Sequence, residues 1–232
     1  MKKIMFLIAG LSAVITLIWI RLLPDTVPMH YDFSGEIDRW GSKYELLLFP
    51  GLILLLALFW MFMIRVFEKK RDKAVLDRER AEAGTNVKVL KYTGLVTTAA
   101  FALEQIAILY ITQRLANGQT PALNLSIPRV ACLLVGLLFI ALGNYIPKTK
   151  KNQLVGLRIS WSLYNDETWR RSNRFSAYTM VIGGIVTVVI AFLAKEEQLM
   201  IWMILCLLLS TGASAAYAYF VYKKEKSKEE EK

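Results

Sequence analysis

The sequence predicts an all-α membrane protein: a six-transmembrane-helix bundle with a short ordered outer loop after helix 1 and an interfacial inner loop between helices 4 and 5. Three observations predict it. Hydrophobic residues make up 55% of the 232 positions, above the roughly 45–50% of an ordinary globular domain. They fall in six blocks, 4–23, 46–67, 93–113, 127–146, 176–194 and 199–222, each at or near the ~18–20 apolar residues that cross a bilayer. With the N-terminus placed inside, 23 of the 29 lysines and arginines fall on one face and 6 on the other. Basic residues are retained on the cytoplasmic side of short loops, so the expected location is the cell membrane with both termini cytoplasmic. The net charge of +10 is then accounted for by topology and by attraction to anionic lipid headgroups. It calls for no direct nucleic-acid contact, and the lipid bilayer is the one partner composition implies.

Helix 1 follows Lys2-Lys3. Its run is long for a signal peptide and no A-x-A-like cleavage site precedes Pro24, so it is read as an uncleaved helix. The outer loop, 24–45, holds Pro24, Pro28, His30, Asp32, a Ser34-Gly35 turn, Asp38, Trp40 and Gly41. Residues before proline favour extended backbone and the glycines punctuate turns. An extended segment folded on the membrane surface is expected, with Tyr31, Phe33 and Trp40 among the headgroups, where aromatics concentrate. The first inner loop continues helix 2 as a solvated, charge-alternating helix that stops at Ala83-Gly84-Thr85-Asn86. Asn144-Tyr145-Ile146-Pro147 closes helix 4. Asn165 is placed to cap the next helix, with Asp166 and Glu167 in its first turn where the dipole favours negative charge. The charged segment after 222 is expected to be frayed.

Glu104 is the acidic residue set well inside a span, and an ionisable group there is costly enough to be a functional candidate. Steps of seven put Thr97, Glu104 and Ile111 on one face and Thr98, Gln105 and Thr112 on the next, giving a polar seam expected to face the bundle interior. Interhelical hydrogen bonding and proton or ligand handling are both open for Glu104. His30, Asp32, Glu36 and Asp38 form a polar cluster. With one histidine in the chain and no second strong ligand type, it reads as a turn-stabilising hydrogen-bond cluster, and no metal is expected. Ser210, Gly212, Ser214 and Ala216, with Gly183 and Gly184, have the small-residue spacing of close helix contacts. Cys132 and Cys206 lie inside spans and read as small hydrophobes. No nucleophile–base pair, phosphate-binding glycine loop or zinc motif is present. The chain is therefore read as a non-enzyme without cofactors.

Two segments carry a family resemblance. Leu23, Pro24, Pro28, His30, Asp32, Gly35, Asp38, Trp40 and Gly41 resemble the N-terminal domain of unknown function that precedes many bacterial SdpI-type proteins. Asn144, Tyr145, Pro147, Asn152, Gly156, Arg158, Trp161, Trp169 and Arg170 resemble the signature of the SdpI-type immunity-protein family itself. The chain departs from that pattern at Ile159-Ser160 and at Ser162. The resemblance implies three segments: an N-terminal membrane domain, 1–92, with a basic inner loop 68–92; an SdpI-like membrane domain, 93–222, with its signature loop 143–175; and a cytoplasmic tail, 223–232. It also implies a Gram-positive membrane protein that protects the cell from a secreted peptide toxin and holds a small transcriptional repressor at the membrane. His30, Asp32, Gly35, Asp38 and Trp40 would then face the toxin, and the signature residues would face the repressor. A proton-linked transporter using Glu104, with Gln105 beside it, and a regulatory anchor without immunity activity are the alternatives.

Overall fold

The computed structural model describes residues 1–32, 36–151 and 155–230. Among them are six helices long and apolar enough to cross a membrane: α1 (Lys2–Trp19), α2 (Leu48–Lys73), α3 (Asp77–Ala116), α4 (Ile127–Gly143), α5 (Asp166–Leu193) and α6 (Glu196–Glu230). Two short strands, β1 (Thr26–Tyr31) and β2 (Ile37–Ser42), pair antiparallel between α1 and α2. The chain is thus the expected six-helix membrane bundle, with the outer loop folded as a hairpin. α1, α2 and α3 pack together, as do α4, α5 and α6, and α3 against α4 joins the two groups. One end of the bundle carries the hairpin; the other carries the 143–165 connection, called here the signature end.

Large apolar side chains such as Leu55, Phe62, Ile182, Phe192 and Leu209 point outward, as they must where lipid replaces water. Small residues face inward. Gly136 and Gly184 sit backbone against backbone between α4 and α5, where any Cβ would collide. Gly183 faces Ser210 across α5 and α6, and the Thr179 and Ser214 hydroxyls share a hydrogen bond of 2.7 Å. Close approach through small residues is the usual way such helices associate. Gly212 differs from the sequence expectation: nothing lies near it and it faces outward.

Two expectations about the charged segments are corrected. The 68–92 stretch is almost entirely helical, with only 74–76 between α2 and α3. No helix ends at 83–86. Gly84 costs about 1 kcal/mol of helix propensity, but tertiary contacts override it. Asn86 is buried and accepts the Lys150 N–H at 3.2 Å, and Arg78 reaches Asp166 at 3.4 Å, so α3 is held against the signature end. Glu68 also binds both Lys2 and Lys91, the latter at 2.7 Å, which ties together α1, α2 and α3. Likewise the tail does not fray before Glu230. Lys228 pairs with Glu225 at 2.8 Å in the helix-supporting i,i+3 arrangement, and Glu225 also faces Arg171 of α5.

Candidate functional site

At the hairpin end, β1 is pinned to the helices. Val27 is fully buried among Leu23, Leu46 and the α3 residues Ile108 and Leu109. A capping box closes the exit from β2: Ser42 accepts from Tyr44, and Glu45 accepts the Ser42 N–H at 3.0 Å. Lys43 is anchored to the Leu23 carbonyl at 3.1 Å and to Asp25 at 3.0 Å. The strands' register shifts on either side of His30, and such irregularities re-aim side chains.

Beneath the hairpin lies a cavity of about 540 Å³, walled by β1, by Leu46 just before α2 and Phe49 at its start, and by residues of α3, α4 and α6. That is within the ~300–1,000 Å³ range of small-ligand sites. Most of its wall is apolar, with Ile108, Ala131 and Met200 as examples. The polar exceptions are few. His30 and Asp38 line it and are joined by a 2.7 Å contact. Asp32 lines it as well, and accepts the Glu36 N–H at 2.9 Å. Deeper in, the Tyr31 and Thr112 hydroxyls are neighbours. Both are shielded from water, and neither has a hydrogen-bond partner among the described residues other than the other. Burial pushes the Tyr31 phenol above its ordinary pKa, which keeps it neutral and able to donate.

Of the hairpin candidates, His30, Asp32 and Asp38 therefore come together at one cavity, and His30–Asp38 and Asp32–Glu36 make the turn-stabilising contacts expected of them. Trp40 is half exposed on the hairpin and is not part of the cavity wall. Tyr31, placed at headgroup level by composition, instead turns its hydroxyl inward. Gly35, like Phe33, lies outside the described residues.

The intramembrane seam is shifted by one residue from the simplest reading. Gln105 is the buried member: its carbonyl accepts from Ser12, and its amide donates to Thr16 and to the Ser12 carbonyl, the last at 3.3 Å. Thr98, Gln105 and Thr112 are all 1% exposed or less. Glu104 is half-buried and has no hydrogen bond or ion pair among the described residues.

The signature end is wired differently. Trp169 is 3% exposed and donates its indole N–H to the Thr149 carbonyl at 3.1 Å. Gly156, at φ +116°, lies against that indole and against Asn173, leaving no space for a Cβ. Asn173 accepts the Leu157 N–H at 2.6 Å and donates to the Trp169 carbonyl at 3.0 Å. Ser162, fully buried, donates to the Leu157 carbonyl at 2.6 Å. Asn165 caps α5 as expected, in a reciprocal box with Thr168. Tyr145 stacks on Tyr92 with ring centroids 3.5 Å apart. Asn144, Pro147, Arg158, Trp161 and Arg170 face outward from this frame, with Arg170 paired to Glu167 at 2.6 Å and Trp161 edge-on to Tyr219. Asn152 lies outside the described residues. Sequence reasoning missed Thr149 and Asn173. Asn173 stands four residues after Trp169, one turn on, and that spacing was the available signal.

Comparison with known proteins accords with this division. Residues 7–54, which carry α1, the hairpin and the start of α2, match a domain of unknown function, DUF1648. Residues 148–220, which carry most of the signature connection, α5 and much of α6, match the SdpI/YfhL protein family. The chain is similar to the immunity protein SdpI of Bacillus subtilis (strain 168), 25% identical over 226 residues, covering 97% of this chain and 98% of that protein. No solved structure matches it. Both segments thus lie in order on one six-helix frame, and the C-terminal one is similar to the SdpI/YfhL protein family.

Proposed function

We propose that this chain is a multi-pass membrane immunity protein that protects its cell against a secreted, membrane-active peptide. The observation that carries the reading is its end-to-end similarity to the Bacillus subtilis immunity protein. The distribution of charge supports an orientation. The signature end and both termini hold 23 of the 29 basic residues, the pattern of a cytoplasmic face, and the hairpin end then meets the outside. Protection is binding and not catalysis. Expression of the chain in a host sensitive to such peptides raises survival; unchanged killing across a panel of them overturns the reading. Cysteines introduced singly at Trp40 and at Arg158 test the orientation, since an impermeant thiol reagent on whole cells labels the first and not the second.

The signature end suits a cytoplasmic partner, such as a small transcriptional repressor, because Arg158, Trp161 and Arg170 face outward from a rigid frame. The chain divides accordingly into an outward-sensing N-terminal part, 1–92, and an SdpI-like part, 93–222. Arg158→Ala or Arg170→Ala releases a co-purifying repressor while leaving the fold intact; retention of the repressor by both variants removes this role. Glu104 supports a second reading, proton-linked transport, because it is an unpaired carboxyl inside a span. Glu104→Gln abolishes pH-dependent flux on that reading and leaves protection untouched on the first.

A further inference from the structure

The cavity beneath the hairpin has a chemical asymmetry that specifies what it accepts. We propose that it binds an apolar peptide segment carrying a positive charge, the apolar side chains entering beneath β1 and the cation seated at Asp38 and Asp32. This deepens the immunity reading above and rests on it for biological context.

Charge complementarity is the first argument. No lysine or arginine lines the cavity among the described residues. Three basic groups of this end have carboxylates of their own, Arg39 with Glu45 at 2.9 Å, Lys43 with Asp25 at 3.0 Å and Arg129 with Glu196 at 2.8 Å, while Arg114, two residues beyond Thr112, donates to the Thr120 carbonyl at 3.4 Å and is not part of the cavity wall. Among the described residues the His30 ring is the one charged partner of Asp38, and Asp32 lines the same cavity. In either protonation state of His30 the two carboxylates leave the mouth negative. An ammonium or guanidinium on the incoming group makes charge-assisted hydrogen bonds there.

The second argument comes from the interior. Thr112 is 1% exposed and lines the cavity, and among the described residues its hydroxyl and that of Tyr31 have no partner but each other. A buried hydroxyl with bonding capacity left over is unfavourable, so this wall favours an occupant that brings donors and acceptors. A hydrocarbon tail brings none. A peptide backbone brings a carbonyl and an N–H with each residue, while its leucine-type or aromatic side chains match the surrounding Ile108, Phe49 and Met200.

The test uses the full chain in lipid nanodiscs, titrated calorimetrically with the N-acetylated peptide amide Leu-Phe-Leu-Lys, its Leu-Phe-Leu-Glu counterpart and decylammonium. The lysine peptide is expected to bind about tenfold or more tightly than the glutamate peptide, the difference one charge-assisted contact supplies. Asp38→Asn combined with Asp32→Asn erases that preference. Ala131→Phe fills the cavity and removes binding, with Ile127→Trp as the alternative filling should the first variant not fold. Equal affinity for the two peptides, unchanged binding in a folded filled variant, or decylammonium binding as tightly as the lysine peptide each overturns the proposal. Survival assays separate this from the broader reading. A folded filled variant that no longer binds the peptide yet still protects the host sinks the cavity's role in immunity and leaves immunity standing. A wild-type chain that binds the peptide but protects against nothing sinks immunity and leaves the cavity.

Discussion

The two ends of this bundle use polar groups in opposite ways. At the signature end most buried polar side chains are engaged, Ser172 excepted: Trp169, Asn173, Ser162 and Thr168 bond to backbone of the connection or of the start of α5. At the hairpin end the backbone is pinned just as firmly at Lys43 and Glu45, yet two buried hydroxyls against a cavity have no partner but each other among the described residues. A satisfied network rigidifies and specifies a fold. Unsatisfied groups beside an open volume are where a ligand has something to gain. The comparison teaches that much of a family signature can record how a connection is built, while the capacity to bind lies in less distinctive residues such as Thr112 and Ala131.

Four substitutions, two of them set against a control, break or sharpen that comparison. Trp169→Ala has the largest expected effect, because it empties a buried site and orphans the Thr149 carbonyl. A loss of about 3–5 kcal/mol is expected, read as a collapse of the melting temperature in nanodiscs, whereas Trp161→Ala, at 38% exposure, costs clearly less. If the two tryptophans behave alike, the signature end is not the rigid frame described here. Gly156→Ala comes next. Its positive φ and the lack of room for a Cβ predict about 1–3 kcal/mol of destabilisation, seen as faster proteolysis of the 143–165 connection.

Gln105→Leu leaves Ser12 and Thr16 of α1 without their interhelical partner. About 1–2 kcal/mol is expected, read as easier dissociation of α1 by detergent. Glu104→Gln, one residue away, leaves α1 in place because Glu104 has no partner there to lose. The smallest stability effect belongs to the hairpin end. Thr112→Val removes a hydroxyl whose one polar neighbour is the Tyr31 phenol, so stability changes by about 1 kcal/mol or less, while affinity for the lysine peptide falls. A marked loss of stability instead would mean that this hydroxyl is satisfied after all, and the contrast between the ends would disappear.

The six spans, the Asn165 cap and the extended segment after Pro24 were all legible in the sequence, because each is set by local composition: apolar run length, a side-chain acceptor before a first turn, prolines at intervals. The hairpin cluster of His30, Asp32 and Asp38 was legible too. The seam was only half legible. Periodicity puts Glu104 and Gln105 on adjacent faces but does not say which one meets α1. Periodicity also could not carry α3 through Gly84, since the compensating contacts of Arg78 and Asn86 come from Asp166 and Lys150, far along the chain.

By itself, then, the amino-acid order determined that this protein lives in a membrane, how often its helices cross, and which family its two decorated connections resemble. Hydropathy, capping and motif content act over a turn or two of chain. Only the tertiary structure decided that Trp169 is an internal anchor, that Gln105 binds α1 and that a cavity opens beneath the hairpin. Those outcomes depend on which faces of distant helices meet, and on how completely the meeting surfaces satisfy one another's polar groups.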